Sequence, residues 1–394
     1  MRGKIYSEVI FQNYKEAMER AAEKGSENVI NGTIGALTDK GSLVTFQAVD
    51  SVLPNLDIKR LSAYSPIQGY PEFIEASKYF CFGDHAPTKA VAGVAVAGGL
   101  GGIHQAIVNY TELHDVVLTA DWFWGPYKGL IQDNDRKQQT FNVFKDNGFD
   151  LESFKESVDG IAAKQDSVFV IFNSPANNPT GYTLAPEEWD AVISYLNGMD
   201  RNIVLFLDSA YLDYAGTEEK KFFKKLDNLS DNVLAIVDYS LSKSFAKYGV
   251  RTAALLAVHS DQKVLDEFFN IITLSNRANY GSVNSAGQLM AMAVYENKET
   301  LAAYEKEFSQ WKQILNERAE IFLAHIDNQI ITPYRHGFFA SIKTSNPLED
   351  TNRLKEENIF LVPLNQGIRV ALCSIEKDQL ELLATTINKH ISRK

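Results

Sequence analysis

Val233-Leu-Ala-Ile-Val237 is a short apolar run that ends at an aspartate, Asp238. The runs at residues 168–172 and 203–207 share this design, because polar residues begin immediately after each of them. Short apolar runs without alternation are typical of strands that are covered on both faces. These runs therefore predict buried strands with polar side chains at their carboxyl ends.

Two further runs, at residues 116–118 and 252–258, look like strands of the same kind. The intervening segment 186–196 has the apolar spacing of a helix and an acidic first turn. Alternation of strands and helices indicates an α/β domain with a mostly parallel sheet. Ligands of such sheets bind beyond the carboxyl ends of the strands, so the polar residues at these ends are the candidate site.

The rest of the chain predicts a second, smaller α+β unit. Its predicted elements are a helix-rich stretch at 286–325, strands at 338–342 and 367–372, and helices at 13–24 and 376–387. We therefore expect a large domain at residues 45–285 and a small domain made of residues 1–44 and 286–394.

The composition excludes several classes of protein. Of the 394 residues, 45% are hydrophobic and 23% are charged, which excludes disordered and fibrous chains. The net charge of −11 argues against non-specific binding to nucleic acids or anionic membranes. No run reaches the roughly 18 to 20 apolar residues of a membrane helix, and the first residues lack the apolar stretch of a secretory signal. Two cysteines, Cys81 and Cys373, cannot form a disulfide framework, so we expect a cytoplasmic protein, and we predict no metal site.

The segment at residues 240–251 directly follows a predicted buried strand and carries Ser240, Ser242, Lys243 and Arg251. Hydroxyl groups and a guanidinium can hold a phosphate through charge-assisted hydrogen bonds. A lysine beside them can form a Schiff base with a carbonyl cofactor if its surroundings lower its pKa. The plain alternative is a solvated lysine in a loop.

Asp208 ends another apolar strand, where its burial is costly unless a cation such as a pyridinium nitrogen pairs with it. Tyr211 follows closely and can hydrogen-bond a ring hydroxyl. Asn178, in the sequence Asn178-Pro-Thr-Gly181, follows a third predicted strand and can direct its side-chain amide toward the candidate site at the strand ends. The alternatives are a helix cap for Asp208 and a simple turn for the segment around Asn178.

The glycine-rich stretch 97–106 is predicted to open a helix and to present backbone N–H groups to a phosphate. A dinucleotide-binding fingerprint competes with this interpretation, but the glycines are out of register for it. Trp124, after another strand, can stack on a planar cofactor or pack in the core. Together the strand ends indicate one planar, phosphorylated ligand with a cationic ring nitrogen and a carbonyl, which describes pyridoxal 5′-phosphate (PLP).

On these motifs the sequence resembles the class I, fold-type I aminotransferases, near the aspartate and aromatic amino acid enzymes. The resemblance extends from about Asn31 to Ile387. It implies a large domain with a mostly parallel, seven-stranded sheet between helices, a smaller α+β domain, and a homodimer with shared active sites. It also implies PLP-dependent transfer of an amino group between an aromatic or acidic L-amino acid and a 2-oxo acid, with 2-oxoglutarate as the expected acceptor.

The resemblance further implies individual roles. Lys243 would be the Schiff-base lysine, Asp208 would pair with the pyridine nitrogen, and Tyr211 would complete the catalytic set. The other expected cofactor contacts are Asn178 to the ring hydroxyl, Trp124 to the ring face, and Ser240, Ser242, Arg251, Gly99, Leu100 and the neighbouring subunit's Tyr64 to the phosphate. The expected substrate contacts are Gly35 in the closing segment, Asn178, Arg369 to the α-carboxylate, and Arg277 to a side-chain carboxylate across the dimer.

Two positions depart from the family pattern. Tyr127 lies where aspartate aminotransferases usually have a histidine that supports the aspartate. The turn Gly98-Gly-Leu-Gly101 lacks the hydroxyl residues that are common there, so backbone N–H groups would have to replace two phosphate contacts. The alternative role for Arg277 is to bridge the subunits without touching substrate.

Three other functions compete. A PLP-dependent carbon–sulfur β-lyase of the same fold needs the same lysine, aspartate and arginine. An effector-binding part of a transcription regulator would need a DNA-binding domain, which the residues before Asn31 are too few to form. A nicotinamide-dependent dehydrogenase would leave Lys243, Asp208 and Arg369 unexplained.

Overall fold

The structure, a computed structural model, describes residues 9–391. The chain forms two compact units. Unit 1 consists of Met1–Val44, Ala176–Tyr182 and Ser309–Lys394, and unit 2 consists of Thr45–Pro175 and Thr183–Phe308. The units differ from the predicted domains in the assignment of residues 176–182 and 286–308, and the domain boundaries stay a prediction.

The α-helices of the described residues are numbered in chain order. They are α1 Val9–Lys24, α2 Gln47–Asp50, α3 Ile58–Ser62, α4 Pro71–Phe82, α5 Gly98–Tyr110, α6 Pro126–Asp133, α7 Leu151–Ala162, α8 Pro186–Asn197, α9 Leu212–Ala215, α10 Thr217–Lys220, α11 Leu241–Ser244, α12 Gln262–Asn279, α13 Ser285–Glu296, α14 Lys298–His325, α15 Pro347–Glu356 and α16 Leu380–His390. No helix among residues 9–391 is both long enough and apolar enough to cross a membrane.

The strands are numbered in the same way. They are β1 Ile30–Asn31, β2 Thr38–Asp39, β3 Ser42–Leu43, β4 Ala90–Val96, β5 Val116–Ala120, β6 Lys137–Phe141, β7 Phe144–Lys145, β8 Gly148–Phe149, β9 Ser167–Asn173, β10 Asn202–Asp208, β11 Val233–Ser240, β12 Ala253–His259, β13 Phe339–Lys343, β14 Ile359–Phe360, β15 Val362–Pro363 and β16 Gly367–Ala371.

Unit 2 is built on a seven-stranded sheet in the order β4-β12-β11-β10-β9-β5-β6. Its neighbouring strands run parallel, except that β12 is antiparallel to both β11 and β4. Strands β9, β10 and β11 are buried over almost their whole length, as their apolar sequences predict. The predicted α/β fold with a mostly parallel, seven-stranded sheet is confirmed.

The polar residues that follow the apolar runs belong to the strands themselves. Asn173 pairs in register with Asp208, and Asp208 pairs with Asp238 on the next strand. Strand β11 continues to Ser240 because its antiparallel neighbour β12 pairs with it as far as Ala253. Polar side chains from three adjacent strands therefore lie in one row at the carboxyl edge of the sheet.

Helices α5, α6 and α12 contribute to one apolar core with the sheet of unit 2. Ile103 and Ile107 of α5, Tyr127 of α6 and Phe268 of α12 are almost fully buried in it. Burial of each such side chain contributes about 1.5 to 3 kcal/mol to folding. The packing holds α5 and Tyr127 in fixed places relative to the strands.

Unit 1 contains an antiparallel three-stranded sheet in the order β13-β16-β15 and a parallel pair of β1 and β14. Helix α1 packs on this unit through Ala17, which contacts Val29 and Phe360. The helix predicted from residue 376 begins later, since residues 377–379 form a 3-10 turn before α16. Glu376 itself is extended, and its side chain accepts a hydrogen bond from buried Arg318 at 3.2 Å.

Candidate active site

Asp208 lies at the end of β10 and is only 6% exposed. Its Oδ2 accepts a hydrogen bond from the hydroxyl of Tyr127, and its Oδ1 accepts one from the backbone N–H of Ala210 at 3.2 Å. Its carbonyl oxygen accepts from Nδ2 of Asn173 at 3.0 Å. Asp208 is therefore fixed in orientation by groups on two neighbouring segments of unit 2.

Burial raises the pKa of Asp208 above its ordinary value, although the hydrogen bonds from Tyr127 and Ala210 and the charge of Lys243 act to lower it. A buried carboxylate that keeps its charge is stabilised by a cation. Asp208 therefore fits a ligand that presents a cationic nitrogen at this edge of the sheet.

Lys243 lies in the single turn of α11, directly after β11. Its Nζ lies 4.7 Å from the ring centre of Tyr248 and 5.6 Å from that of Tyr211. Tyr211 is 5% exposed and precedes α9. Lys243 and Tyr211 therefore lie close together in unit 2, and the charge of Lys243 acts to lower the pKa of the Asp208 carboxyl.

The residues predicted to bind phosphate form a linked group. Ser240 Oγ accepts a hydrogen bond from the backbone N–H of Ser242 at 3.2 Å and donates to Ser242 Oγ at 3.1 Å. Arg251 donates from Nη1 to Ser242 Oγ at 3.2 Å. Ser242 therefore links the hydroxyl group of Ser240 to the guanidinium of Arg251, and groups of these kinds can hold a phosphate.

The glycine-rich turn completes this group, and it opens helix α5 at Gly98 as predicted. Gly98 has a φ of +74°, and a Cβ there would lie 2.5 Å from Nη2 of Arg251. A Cβ on Gly99 would lie 3.6 Å from Cβ of Ser240. The N-terminus of α5, followed by Leu100, therefore lies against Arg251 and Ser240, where its backbone N–H groups favour an anion.

Trp124 is half-buried and contacts Tyr127, with ring centres 5.6 Å apart in an edge-on arrangement. It also packs against the apolar core of unit 2. Both predicted uses of this indole, stacking on a cofactor and packing in the core, are compatible with its place in the structure.

Arg369 lies on β16 of unit 1 and is 4% exposed. It donates from Nη2 to the carbonyl oxygen of Thr33 at 2.6 Å and from Nη1 to Oδ1 of Asn178 at 3.4 Å. Its guanidinium carbon lies 4.5 Å from the ring centre of Phe339. A guanidinium held in this way has a fixed orientation, which suits recognition of a carboxylate.

Gly35 lies near the same group, because a Cβ there would lie 2.5 Å from Cζ of Phe339. Asn178 is 4% exposed and belongs to the segment Ala176–Tyr182 of unit 1. The predicted substrate residues Gly35, Asn178 and Arg369 are therefore together in unit 1.

Tyr64 and Arg277 lie apart from the predicted cofactor residues of unit 2 described above. Tyr64 follows α3 and is 91% exposed, and Arg277 is exposed in the last turn of α12. Both side chains therefore lie on the exposed surface of unit 2. Their predicted roles involve a second subunit and stay predictions.

Three residues near the groups were not among the predicted site residues. The resemblance points to the position of Tyr127, but the hydrogen bond from Tyr127 to Asp208 follows from the packing of α6. Thr33 contributes a backbone carbonyl, which has no sequence signature. Asp238 follows an apolar run as Asp208 does, and this position in the sequence is enough to identify it as a candidate site residue.

The residues present fit a planar, phosphorylated cofactor with a cationic ring nitrogen. Asp208 supplies a buried carboxylate, Lys243 supplies an amine, and the hydroxyl groups with Arg251 and the start of α5 form a cradle in which Gly98 leaves no room for a side chain. The individual roles stay predictions.

Comparison with known proteins gives a consistent result. A family model described as aminotransferase class I and II matches residues 27–387. A tyrosine aminotransferase of Klebsiella pneumoniae is 26% identical over 302 residues, covering 74% of each chain. A cytoplasmic aspartate aminotransferase of Dictyostelium discoideum is 25% identical over 338 residues, covering 82% of this chain and 75% of its own. The crystal structure of an aminotransferase from Anaerococcus prevotii superposes with a TM-score of 0.96 and 31% identity over 100% of both chains.

These matches confirm the predicted resemblance, and they favour a transaminase over the β-lyase alternative. They cover both units of the chain, including the strand ends described above. The chain belongs to the class I and II aminotransferase family.

Proposed function

We propose that this chain is a PLP-dependent aminotransferase that moves an amino group between an aromatic or acidic L-amino acid and a 2-oxo acid, with 2-oxoglutarate as the expected acceptor. The observation that carries the proposal is the grouping of buried Asp208 with Lys243 and the phosphate cradle in unit 2. PLP, when bound, supplies an aldehyde for amines and a ring that accepts electron density from the substrate carbon.

Lys243 is the amine that holds the cofactor, and it also serves as the base that takes the proton from Cα of the amino acid. Its Nζ lies beside the rings of Tyr211 and Tyr248, which restrict where the amine can move. A positioned base typically contributes about 10²- to 10⁴-fold to the rate.

Asp208 carries the negative charge that stabilises a cationic ring nitrogen. The hydroxyl of Tyr127 stays protonated, since burial and the charge of Asp208 both raise the pKa of Tyr127 well above its ordinary value. Tyr127 thus remains a hydrogen-bond donor to the ionised carboxylate. Tyr211, Asn178 and Trp124 are the proposed contacts to the ring, and Ser240, Ser242, Arg251, Gly99 and Leu100 are the proposed contacts to the phosphate.

Replacing Tyr127 by phenylalanine is expected to move the acid limb of the kcat/KM profile to higher pH. The hydrogen bond favours the ionised form of Asp208, so its loss raises the pKa of that carboxyl, and activity is then lost earlier as the pH falls. A hydrogen bond to a charged group is worth about 1.5 to 3 kcal/mol, which corresponds to about one to two pH units.

Tyr195→Phe is the matched control for this measurement. Tyr195 also donates to an aspartate, Asp159 at 2.7 Å, but on the exposed surface of unit 2. Its replacement should leave the pH profile unchanged. An acid limb that is the same in Tyr127→Phe and the wild type would contradict the role of Tyr127.

Replacing Arg369 by lysine is expected to raise KM for both the amino acid and the oxo acid and to lower kcat/KM by about 10- to 150-fold. Lysine keeps the positive charge but lacks the planar guanidinium that Thr33 and Asn178 orient in Arg369. The expected loss is that of one hydrogen bond to a charged group, which is worth about 1.5 to 3 kcal/mol. PLP content should not change. Arg353→Lys, at a surface ion pair of the same unit, is the control. An unchanged KM in Arg369→Lys would remove this residue from substrate binding.

A half-reaction screen tests the proposed function as a whole. The purified protein is mixed with each amino acid in turn, and conversion of bound PLP from its aldehyde to its amine form is followed by absorbance. Aromatic and acidic amino acids should convert it, and 2-oxoglutarate should reverse the change. Repeating the screen with Arg277→Ala shows whether this arginine grips a side-chain carboxylate, because only acidic substrates should then lose rate.

The same screen separates transamination from β-elimination. A lyase would release ammonia and pyruvate from cysteine-type substrates without any oxo acid. A transaminase stops after one half-reaction until an acceptor is added.

A homodimer is part of the proposal, with Tyr64 and Arg277 acting across the interface. Large apolar side chains are also exposed near both residues: Ile58, on α3 before Tyr64, is 69% exposed, and Leu274, on α12 with Arg277, is 68% exposed. Exposed apolar side chains of this size are typical of surfaces that other protein covers. We also propose a cytoplasmic location, because Cys81 and Cys373 are both free thiols.

A further inference from the structure

Asp238 is a second buried carboxyl group at the carboxyl edge of the sheet, and the proposed mechanism does not use it. It is 1% exposed, and neither of its side-chain oxygens has a hydrogen-bond donor among the described residues. It pairs in register with Asp208 on the neighbouring parallel strand. Side chains of paired residues point to the same face, and adjacent strands lie about 4.8 Å apart.

Two glycines of helix α5 lie against Asp238. A Cβ on Gly99 would lie 3.1 Å from Oδ2 of Asp238, and a Cβ on Gly102 would lie 3.3 Å from the same oxygen. On the other side Asp238 pairs with Leu255 of β12. The carboxyl is thus enclosed by helix backbone, an apolar strand and Asp208.

The charged and titratable groups that act on Asp238 come from several elements. Asp208 on β10 opposes a charge on Asp238, and Arg251, from the loop before β12, favours one. Burial raises the pKa of Tyr127 on α6 and of Cys81 on α4, and a charge on Asp238 would raise both pKa values further. Burial is the largest effect, and the pKa of Asp238 lies well above its ordinary value.

The two carboxyl groups are not equivalent. Asp208 accepts hydrogen bonds from Tyr127 and Ala210, whereas no described residue donates to the Asp238 side chain. A charge on one of two neighbouring buried carboxyl groups disfavours a charge on the other, and the proton is favoured on the group that has fewer hydrogen-bond donors. A charge on Asp238 would also lie beside the first turn of α5, where it would oppose a phosphate.

We propose that Asp238 is a positioning residue of the cofactor site that carries a proton, so that the Asp208–Asp238 pair presents a single negative charge, located on Asp208, to a cationic ring nitrogen. This inference rests on the proposed function. Because a protonated Asp238 is neutral, it does not compete with the phosphate for the N-terminus of α5 or for Arg251.

Infrared difference spectroscopy tests the proton directly. The spectrum of the wild type minus that of Asp238→Asn, both stripped of cofactor at neutral pH, should contain the C=O band of a protonated carboxyl that shifts in D₂O. Asp350→Asn is the control, because Asp350 is a buried carboxylate that accepts from Thr344 and pairs with Arg353. Absence of a protonated-carboxyl band from the Asp238 difference spectrum overturns the proposal.

The coupling of the pair is tested with Asp208→Asn. Removal of the neighbouring charge should let Asp238 ionise more readily, so its C=O band should disappear at lower pH than in the wild type. A band that responds alike to pH in the two proteins overturns the coupling.

The link to the cofactor is tested by titrating the stripped proteins with PLP at increasing pH. In the pH range in which the wild type loses its protonated-carboxyl band, its affinity for PLP should fall relative to that of Asp238→Asn. The expected fall is about tenfold per pH unit, because one proton is linked to binding. A relative loss of affinity while the band persists overturns the link. Failure of the proposed function itself would appear separately, as a wild-type protein that keeps the band but binds no PLP.

Discussion

Replacing Lys243 by alanine is expected to abolish covalent retention of PLP and to lower turnover by at least about 10²- to 10⁴-fold. The variant loses both the amine that holds the cofactor and the base that takes the substrate proton, and base catalysis alone accounts for that factor. The fold should persist, because α11 is a single turn and Lys243 is not part of the apolar core.

The measurement is the absorbance of bound cofactor after gel filtration, together with kcat. Lys247→Ala is the matched control, since Lys247 lies in the same segment but forms an ion pair with Asp50. It should keep the cofactor absorbance. A Lys243→Ala protein that shows the wild-type cofactor spectrum after gel filtration would remove this lysine from the mechanism.

Replacing Asp208 by alanine is expected to lower kcat by about 100- to 5,000-fold while part of the PLP remains bound. Loss of one member of a buried ion pair typically costs about 3 to 5 kcal/mol. Here the loss of Asp208 destabilises the protonated form of the ring nitrogen. The phosphate cradle of Ser240, Ser242 and Arg251 does not involve Asp208 in its hydrogen bonds, so it should still hold the cofactor.

Asp121→Asn is the matched control for Asp208. Asp121 also follows a strand of the sheet, but its Oδ1 only accepts from the backbone N–H groups of Trp122 and Val143 at 2.9 Å each. Asparagine can accept the same bonds, so kcat should stay near the wild-type value. Near-normal kcat in Asp208→Ala would refute the role of Asp208.

The large sheet and most of its strand ends were predictable from sequence because both follow from local pattern. An apolar run that ends at Asp208 places a carboxylate at the ligand edge of any parallel sheet, and the same reasoning places Lys243 just after β11. The strands were predicted slightly too short, since pairing with β12 extends β11 through Asp238 to Ser240.

Other parts of the candidate site depend on tertiary packing and had no local signal. The carbonyl of Thr33 acts through its backbone, which every residue possesses. The hydrogen bond from Tyr127 to Asp208 requires α6 to be packed in the core of unit 2. Asp238 ends an apolar run as Asp208 does, but its isolation follows from strand register and from the glycines of α5.

The most direct test of the central claim is to locate the cofactor on the chain. The purified protein is saturated with PLP, reduced with borohydride, digested and analysed by mass spectrometry. We expect one phosphopyridoxyl group, on the ε-nitrogen of Lys243, and none in the Lys243→Ala variant. A modification at a different lysine, or no modification at all, would contradict it.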